Sequence, residues 1–390
     1  MKKFIVLLLF LLLFSLSACT RTDDDNVIDI NKDATLENIE TGNEGVDVSD
    51  NRCILSNQIT LNQTDTITSL ELWTNSSVCD NLIYEDGYIQ LDNNTEKGTL
   101  ETGSFYLESF DKLVPSWNVL IDDYSKVSIL ISLGNSEGYS DYYVMALWQS
   151  DYKLSFKNQE DEYGEVSIDT ITSKKDDIDR IKFKVVFAQS ETDNTKLKNI
   201  SITTVLPTNT TDYTTTNLNN HEVTIIPRQQ LSIPLIGNSI CSPTSLSMVL
   251  NYYGYTDSQE IVASKVYDNG SKIYGNWSFN ASYAGGFDLY SRVEYVNNLS
   301  VLMNYINEDI PLILSIMTKS KEALEGSIMA YPSGHLVVLT GFVLKEDTWY
   351  AIINDPAEYD DALVRREYKL DQILDAWRGY IYVVQETEFE

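Results

Sequence analysis

The chain has 390 residues, with 28 Lys and Arg against 58 Asp and Glu, and a formal net charge of −30. So acidic a chain is repelled by polyanions, which argues against nucleic-acid binding and against adhesion to a membrane through basic residues. It has only two His and four Cys; no Cys/His cluster has zinc-ligand spacing and no Gly-rich phosphate loop occurs, so no metal and no cofactor is expected.

Residues 1–18 read as a lipoprotein signal peptide. Lys2 and Lys3 precede an unbroken apolar run, 4–14, that is too short to span a bilayer. Leu16-Ser17-Ala18-Cys19 then forms a lipobox, in which the Cys19 sulfur takes a diacylglycerol and becomes the new N-terminus. The expectation is a bacterial cell-surface protein, lipid-anchored to the membrane on its extracytoplasmic side. Residues 19–49, with Asp23-Asp24-Asp25 and scattered Glu, Asn and Thr, are expected to form an acidic flexible tether.

From 50 to 205 short alternating stretches recur between Asn/Asp/Gly turns, as at 127–133, 142–148 and 180–187. Strands with little helix signal predict an all-β sandwich, jelly-roll-like. Cys53 and Cys79 lie early in it and, outside the cytosol, are expected to pair as a disulfide. Trp73, Trp117 and Trp148 fit either core packing or an aromatic platform for a carbohydrate contact. Residues 206–222, rich in Thr, Asn and Asp, read as a linker and a protease-sensitive boundary.

Residues 223–390 mix periodicities. Helices are predicted at 241–253, 258–268, 299–308 and 370–377, the second started by Asp257 with Glu260 three residues on. Strands are predicted at 311–316, 335–343, 349–354 and 380–384, an α+β arrangement with the site between layers. Cys241 precedes Leu246, Val249, Leu250 and Tyr253 at helical spacing, with Pro243 in the first turn and Gly254 past the end. A cysteine at a helix N-terminus meets free N–H groups and the positive end of the helix dipole, which favour a thiolate. With the hairpin turn centred near 345–346, His335 falls opposite Asp355, bringing imidazole and carboxylate together. Strand alternation alone favours Asn354 over Asp355 for the same role, unless the chain leaves the strand at Pro356.

At Arg228-Gln229-Gln230, at 241–254, at Gly285-Gly286, at 310–316, at 334–341 and at Asn354-Asp355-Pro356 the chain resembles the C39-like cysteine peptidases of the papain-like superfamily. The phrase 110–118 is similar to the β-sandwich often found ahead of such domains. The resemblance implies Cys241 as nucleophile, His335 as general base and acid, Asp355 as its orienting group, and Gln230 as side-chain donor of the oxyanion hole. Gln229 competes for that last role, and Ser242 stands where many members have glycine. The substrate implied is a peptide or another amide of the cell envelope. A peptidoglycan amidase or endopeptidase would use the same groups. A glycan- or surface-binding lipoprotein with an inactive scaffold is the alternative from another class.

Overall fold

The computed structural model describes Cys53, Leu55 and residues 58–389, apart from 93–94, 190–194, 208–209 and 217. The expected signal peptide, the Cys19 lipid site and the tether lie outside these residues. In the strand Arg180–Ala188, Ile181, Phe183, Val185 and Phe187 are buried and the residues between them are not, until Ala188. Such alternation puts one face on a core and leaves the other wet. This strand pairs antiparallel with Lys126–Asn135, from Arg180 opposite Gly134 to Ala188 opposite Lys126. Both sit in a nine-stranded sheet that packs on a second, seven-stranded one containing Lys112–Leu120 and Lys196–Val205. The N-terminal half is thus the expected sandwich.

Three features of that half bear on the expectations. The disulfide Cys53–Cys79 is formed, with Cα atoms 6.0 Å apart. A helix that strand patterning did not predict, α1 (Ser69–Thr74), is held by a reciprocal cap in which the Glu71 N–H donates to Thr68 Oγ1 and the Thr68 N–H to the Glu71 carboxylate. Trp73, Trp117 and Trp148 are 1%, 0% and 3% exposed, so none of the three offers a face to a sugar; this corrects the platform reading in favour of packing.

The C-terminal half is one antiparallel sheet in the order Tyr290–Tyr295, Trp377–Gln385, Leu312–Ile316, His335–Lys345, Thr348–Asn354, Arg365–Lys369. Helices α2 (Cys241–Tyr252), α3 (Gln259–Val266) and α4 (Trp277–Ala284) cover one face. Helices α5 (Leu299–Asn307) and α6 (Leu370–Ala376) cover the other. Helix α3 is capped by Ser258, whose side chain accepts from the Ile261 N–H, not by Asp257 as predicted. Helix α4 was not predicted. Its buried face includes Ser278, Asn280 and Ser282, so it carries no apolar stripe to read. Among the described residues no helix is long and apolar enough to cross a membrane.

The two halves are joined by more than residues 206–222. Lys112–Leu120 and Lys196–Val205 are buried on both faces except at their ends. Their outer face meets α4 and the strand Tyr290–Tyr295. Asn118 both donates to the Ser291 carbonyl (2.7 Å) and accepts from its N–H (2.9 Å). Ser116 and Thr203 hydroxyls accept from the Val293 and Tyr295 N–H groups at 3.2 and 2.8 Å. Side chains of the sandwich therefore satisfy the open edge of the C-terminal sheet. Phe279 of α4 sits 6.2 and 5.4 Å from the rings of Trp117 and Trp148. The predicted linker is itself tied down. The Asp212 N–H donates to the Asn297 carbonyl, and the Leu299 N–H donates to the Asp212 carbonyl, each at 2.9 Å. His221–Glu222, assigned to the linker by composition, is a short strand against Phe342 and Gly341.

Candidate active site

Helix α2 begins at Cys241 after a 3-10 turn, Gly237–Ser239, and its N-cap, Ile240, has no side chain to cap it. First-turn N–H groups therefore stay available, and the Ser242 N–H donates to the Cys241 sulfur, as does the Leu336 N–H. Cys241 is partly exposed. Leu336 follows His335, so the start of one strand supplies both an N–H and an imidazole to the thiol. Ser245 Oγ, on the next turn of α2, donates to the Leu336 carbonyl at 3.0 Å and fixes that contact.

His335 Nε2 lies 2.7 Å from Asp355 Oδ1, with the two residues 3% and 1% exposed. Since Nε2 faces the carboxylate, Nδ1 is the ring nitrogen left for the sulfur, to which His335 is also hydrogen-bonded. His335 and Asp355 are not paired across the hairpin. Lys345 pairs with Thr348, a bulge lies between Leu339 and Gly341, and Val338 pairs with Asn354. The turn is later than predicted, so His335 is not directly opposite Asp355. The strand ends at Asn354, and Asp355 reaches back along it from the loop, its N–H donating to the Val364 carbonyl at 2.9 Å. Leaving the strand frees Asp355 from alternation.

Four donors hold the Asp355 carboxylate. Oδ1 accepts from His335 and from the Ala357 N–H (3.0 Å), and Oδ2 from the hydroxyls of Tyr331 (2.9 Å) and Tyr368 (2.8 Å). Tyr331 also stacks on the imidazole, with ring centroids 4.0 Å apart and planes at 14°. Sequence reading missed both tyrosines, because the spacing of either carries no sign of a contact made only in the fold.

The charges follow. Burial pushes the Cys241 thiol up, but the hydrogen bond and charge of His335, with the Leu336 and Ser242 N–H groups, bring it below the usual thiol range. Burial pushes His335 down, yet the charge and hydrogen bond of Asp355 and the contact with Cys241 raise it to about 10. Burial raises Asp355, and His335, the Ala357 N–H and Tyr368 outweigh that, holding it at about 2. The lowered thiol and the raised imidazole both favour the thiolate–imidazolium pair, beside an ionised Asp355 carboxylate.

Gln230 is buried, and its Nε2 donates to the Gly237 carbonyl at 2.6 Å, within the turn that leads to Cys241. A primary amide nitrogen carries two N–H groups, so one bond does not exhaust it. The backbone N–H groups of Gln230 and Leu231 donate to the Pro356 and Glu358 carbonyls at 2.8 and 3.0 Å, which ties the Cys241 loop to the Asp355 loop. Gln229 is half-buried, and its Oε1 accepts from the Ser232 N–H, away from the Gly237 turn. Among the described residues no group of three or more His, Cys, Asp or Glu is placed to hold a metal ion.

A helix-start cysteine joined to a strand-start histidine and a loop carboxylate is the arrangement of a thiol-dependent peptidase fold. The family comparison agrees: residues 222–384 match the Peptidase_C39 like family and residues 61–205 the Peptidase C39 N-terminal domain. The C-terminal domain thus matches the C39-like peptidases, and the sandwich matches the kind of N-terminal domain that precedes it. No curated protein matches it. Among solved structures, it is similar to a double-glycine-motif protease from an AMS/PCAT transporter in complex with its leader peptide (18% identity, 44% of this chain, 97% of that one, TM-score 0.29). It is also similar to the peptidase domain of Streptococcus ComA, a bi-functional ABC transporter of a quorum-sensing pathway (16%, 42%, 99%, 0.30). A family 6 carbohydrate-binding module matches at 12% identity over 38% of this chain and 99% of that one, with a TM-score of 0.22.

Proposed function

We propose that the chain is a surface-anchored thiol hydrolase that cleaves peptide or amide bonds through Cys241, His335 and Asp355, with Gln230 as oxyanion donor. The supporting observation is the continuous hydrogen-bonded row from the Cys241 sulfur through His335 to the buried Asp355. The thiolate adds to the scissile carbonyl carbon, and the resulting oxyanion takes a Gln230 N–H and a backbone N–H at the start of α2. His335 gives its proton to the departing amine as the C–N bond breaks, leaving a thioester on Cys241. His335 then takes a proton from water as the hydroxyl adds, and collapse releases the acid and restores the thiolate.

Cys241 is accordingly the thiol that brief iodoacetamide treatment of the folded protein should label at neutral pH, mapped by mass spectrometry. Cys241→Ala should abolish hydrolysis of both a peptide library and purified peptidoglycan, whichever the wild type cleaves. Labelling seen only after denaturation would overturn the reading. Anchoring through Cys19 predicts incorporation of a tagged fatty acid that Cys19→Ala removes; a wild-type protein without lipid would refute that part alone.

A further inference from the structure

Arg378 sits at the lip of this site without a partner acid. The other five described arginines each donate to a carboxylate or carbonyl oxygen. Arg378 is exposed, and among the described residues its guanidinium has only an aromatic partner, the Trp277 ring, 5.3 Å away. In a chain with 58 acids against 28 bases, an arginine left without an acid is a charge kept for something else. Its surroundings hold it in place. The Trp277 ring also packs on Tyr380 at 4.3 Å, and the Trp277 N–H is pinned by Asp169 Oδ2 of the sandwich at 2.5 Å.

Its position relative to the reacting groups is defined by the sheet. Ile316 pairs with His335 on one side and with Trp377 on the other, so Arg378 begins one strand beyond the histidine. Through the Trp277 ring, which packs on Tyr380, it lies on the face that carries Tyr380 and Tyr382 and is covered by α2, and the Tyr382 hydroxyl meets Ser242 Oγ at 3.0 Å. Its side chain leans back toward Gly334, which has φ of +94°; a Cβ built there would lie 3.4 Å from Nη1 of Arg378. The guanidinium thus flanks the residue immediately before His335. His335 protonates the leaving amine, so the leaving half of a substrate lies on the histidine side of the cleft.

We propose that Arg378 is a substrate-binding residue that takes a carboxylate carried by the leaving-group half of the substrate. This rests on the thiol-hydrolase reading above. A planar fork on an aromatic platform suits bidentate capture of a carboxylate, whether the terminal carboxylate of a short leaving peptide or an acidic side chain close to the scissile bond.

Two small alkylators test it without a known substrate. Iodoacetate carries a carboxylate beside the reactive carbon, and iodoacetamide is its neutral counterpart. In each reaction the Cys241 thiolate displaces iodide and forms a C–S bond. The ratio of the two rates at Cys241, iodoacetate over iodoacetamide, should fall about three- to tenfold in Arg378→Ala and Arg378→Gln and be largely kept in Arg378→Lys. His335 is common to every variant, so the ratio isolates Arg378. An unchanged ratio with Cys241 labelled would overturn the arginine assignment and leave the thiol reading standing. No native labelling of the wild type would sink both. Source is resolved by protection of Cys241 with acetyl-Ala-Ala-Ala, its C-terminal amide, and acetyl-Ala-Ala-Glu amide. Protection by the first only points to a terminal carboxylate, by the third as well to an acidic side chain, and equal protection by all three in wild type and Arg378→Ala counts against the proposal.

Discussion

Asp355 shows how one residue sets the working range of the site. Its carboxylate holds His335 at about 10 and is itself held at about 2. On the proposed mechanism the imidazolium therefore persists until pH rises through the histidine value, where the proton needed by the leaving amine would be lost. Asp355→Asn removes the charge that raises His335, so the alkaline limb of kcat against pH should move to lower pH. A limb that stays in place would mean that Asp355 does not govern the imidazole. Asp355→Ala should lower kcat by about two to four orders of magnitude, by analogy with triad carboxylates. Asn354→Ala should cost far less, since Asn354 stays in the ladder opposite Val338. The reverse ranking, with both variants folded, would transfer the role.

Among the elements, two caps of different burial make a contrast. Ser258 caps α3 toward solvent, so Ser258→Ala should cost about 1 kcal/mol. Asn276 caps α4 through the Phe279 N–H at 3.0 Å, and its Nδ2 also donates to the buried Asp268 at 3.0 Å. Asn276→Ala should cost about 2–4 kcal/mol, because a charged acceptor loses a donor where water cannot replace it. Denaturant midpoints at constant slope measure both; equal losses would refute the burial argument. Helix α2 and the strand from His335 were legible because their apolar residues keep a regular period from a recognisable start. Helix α4 and the strand Tyr290–Tyr295 were not, because their polar residues are buried against the sandwich, and patterning takes polar residues to face water. In the site, Cys241, His335, Asp355 and Gln230 were legible as a motif. Tyr331 enters from a loop and Tyr368 and Arg378 from strands, by contacts made only in the fold, and no spacing in the chain encodes them.

At the scale of the whole molecule, the described residues form one body with three sheets, the open edge of the C-terminal one satisfied by side chains from the sandwich. A cut between 206 and 222 should therefore leave two fragments that co-elute under native conditions, contrary to independent stability as the linker composition suggests. Asn118→Ala strips both hydrogen bonds from Ser291 and should destabilise the body by about 2–4 kcal/mol. Tryptophan fluorescence, which reports on both halves through Trp73, Trp117 and Trp148 in the sandwich and Trp277, Trp349 and Trp377 beyond it, should then lose its native signal in one step. Two separate transitions would show that the halves fold alone.

That shared face also decides how the chain tolerates change. In a saturation scan, Ser116, Asn118 and Thr203 should score as intolerantly as Phe183 or Val338, and hydrophobic replacements there should fare as badly as charged ones. The intolerant stripe would cross from one half of the chain to the other through Ser278, Ser282 and Ser291. A chimaera that swaps in a foreign sandwich should therefore regain a folded peptidase half only when those hydroxyl and amide positions travel with it, however well its apolar core is matched.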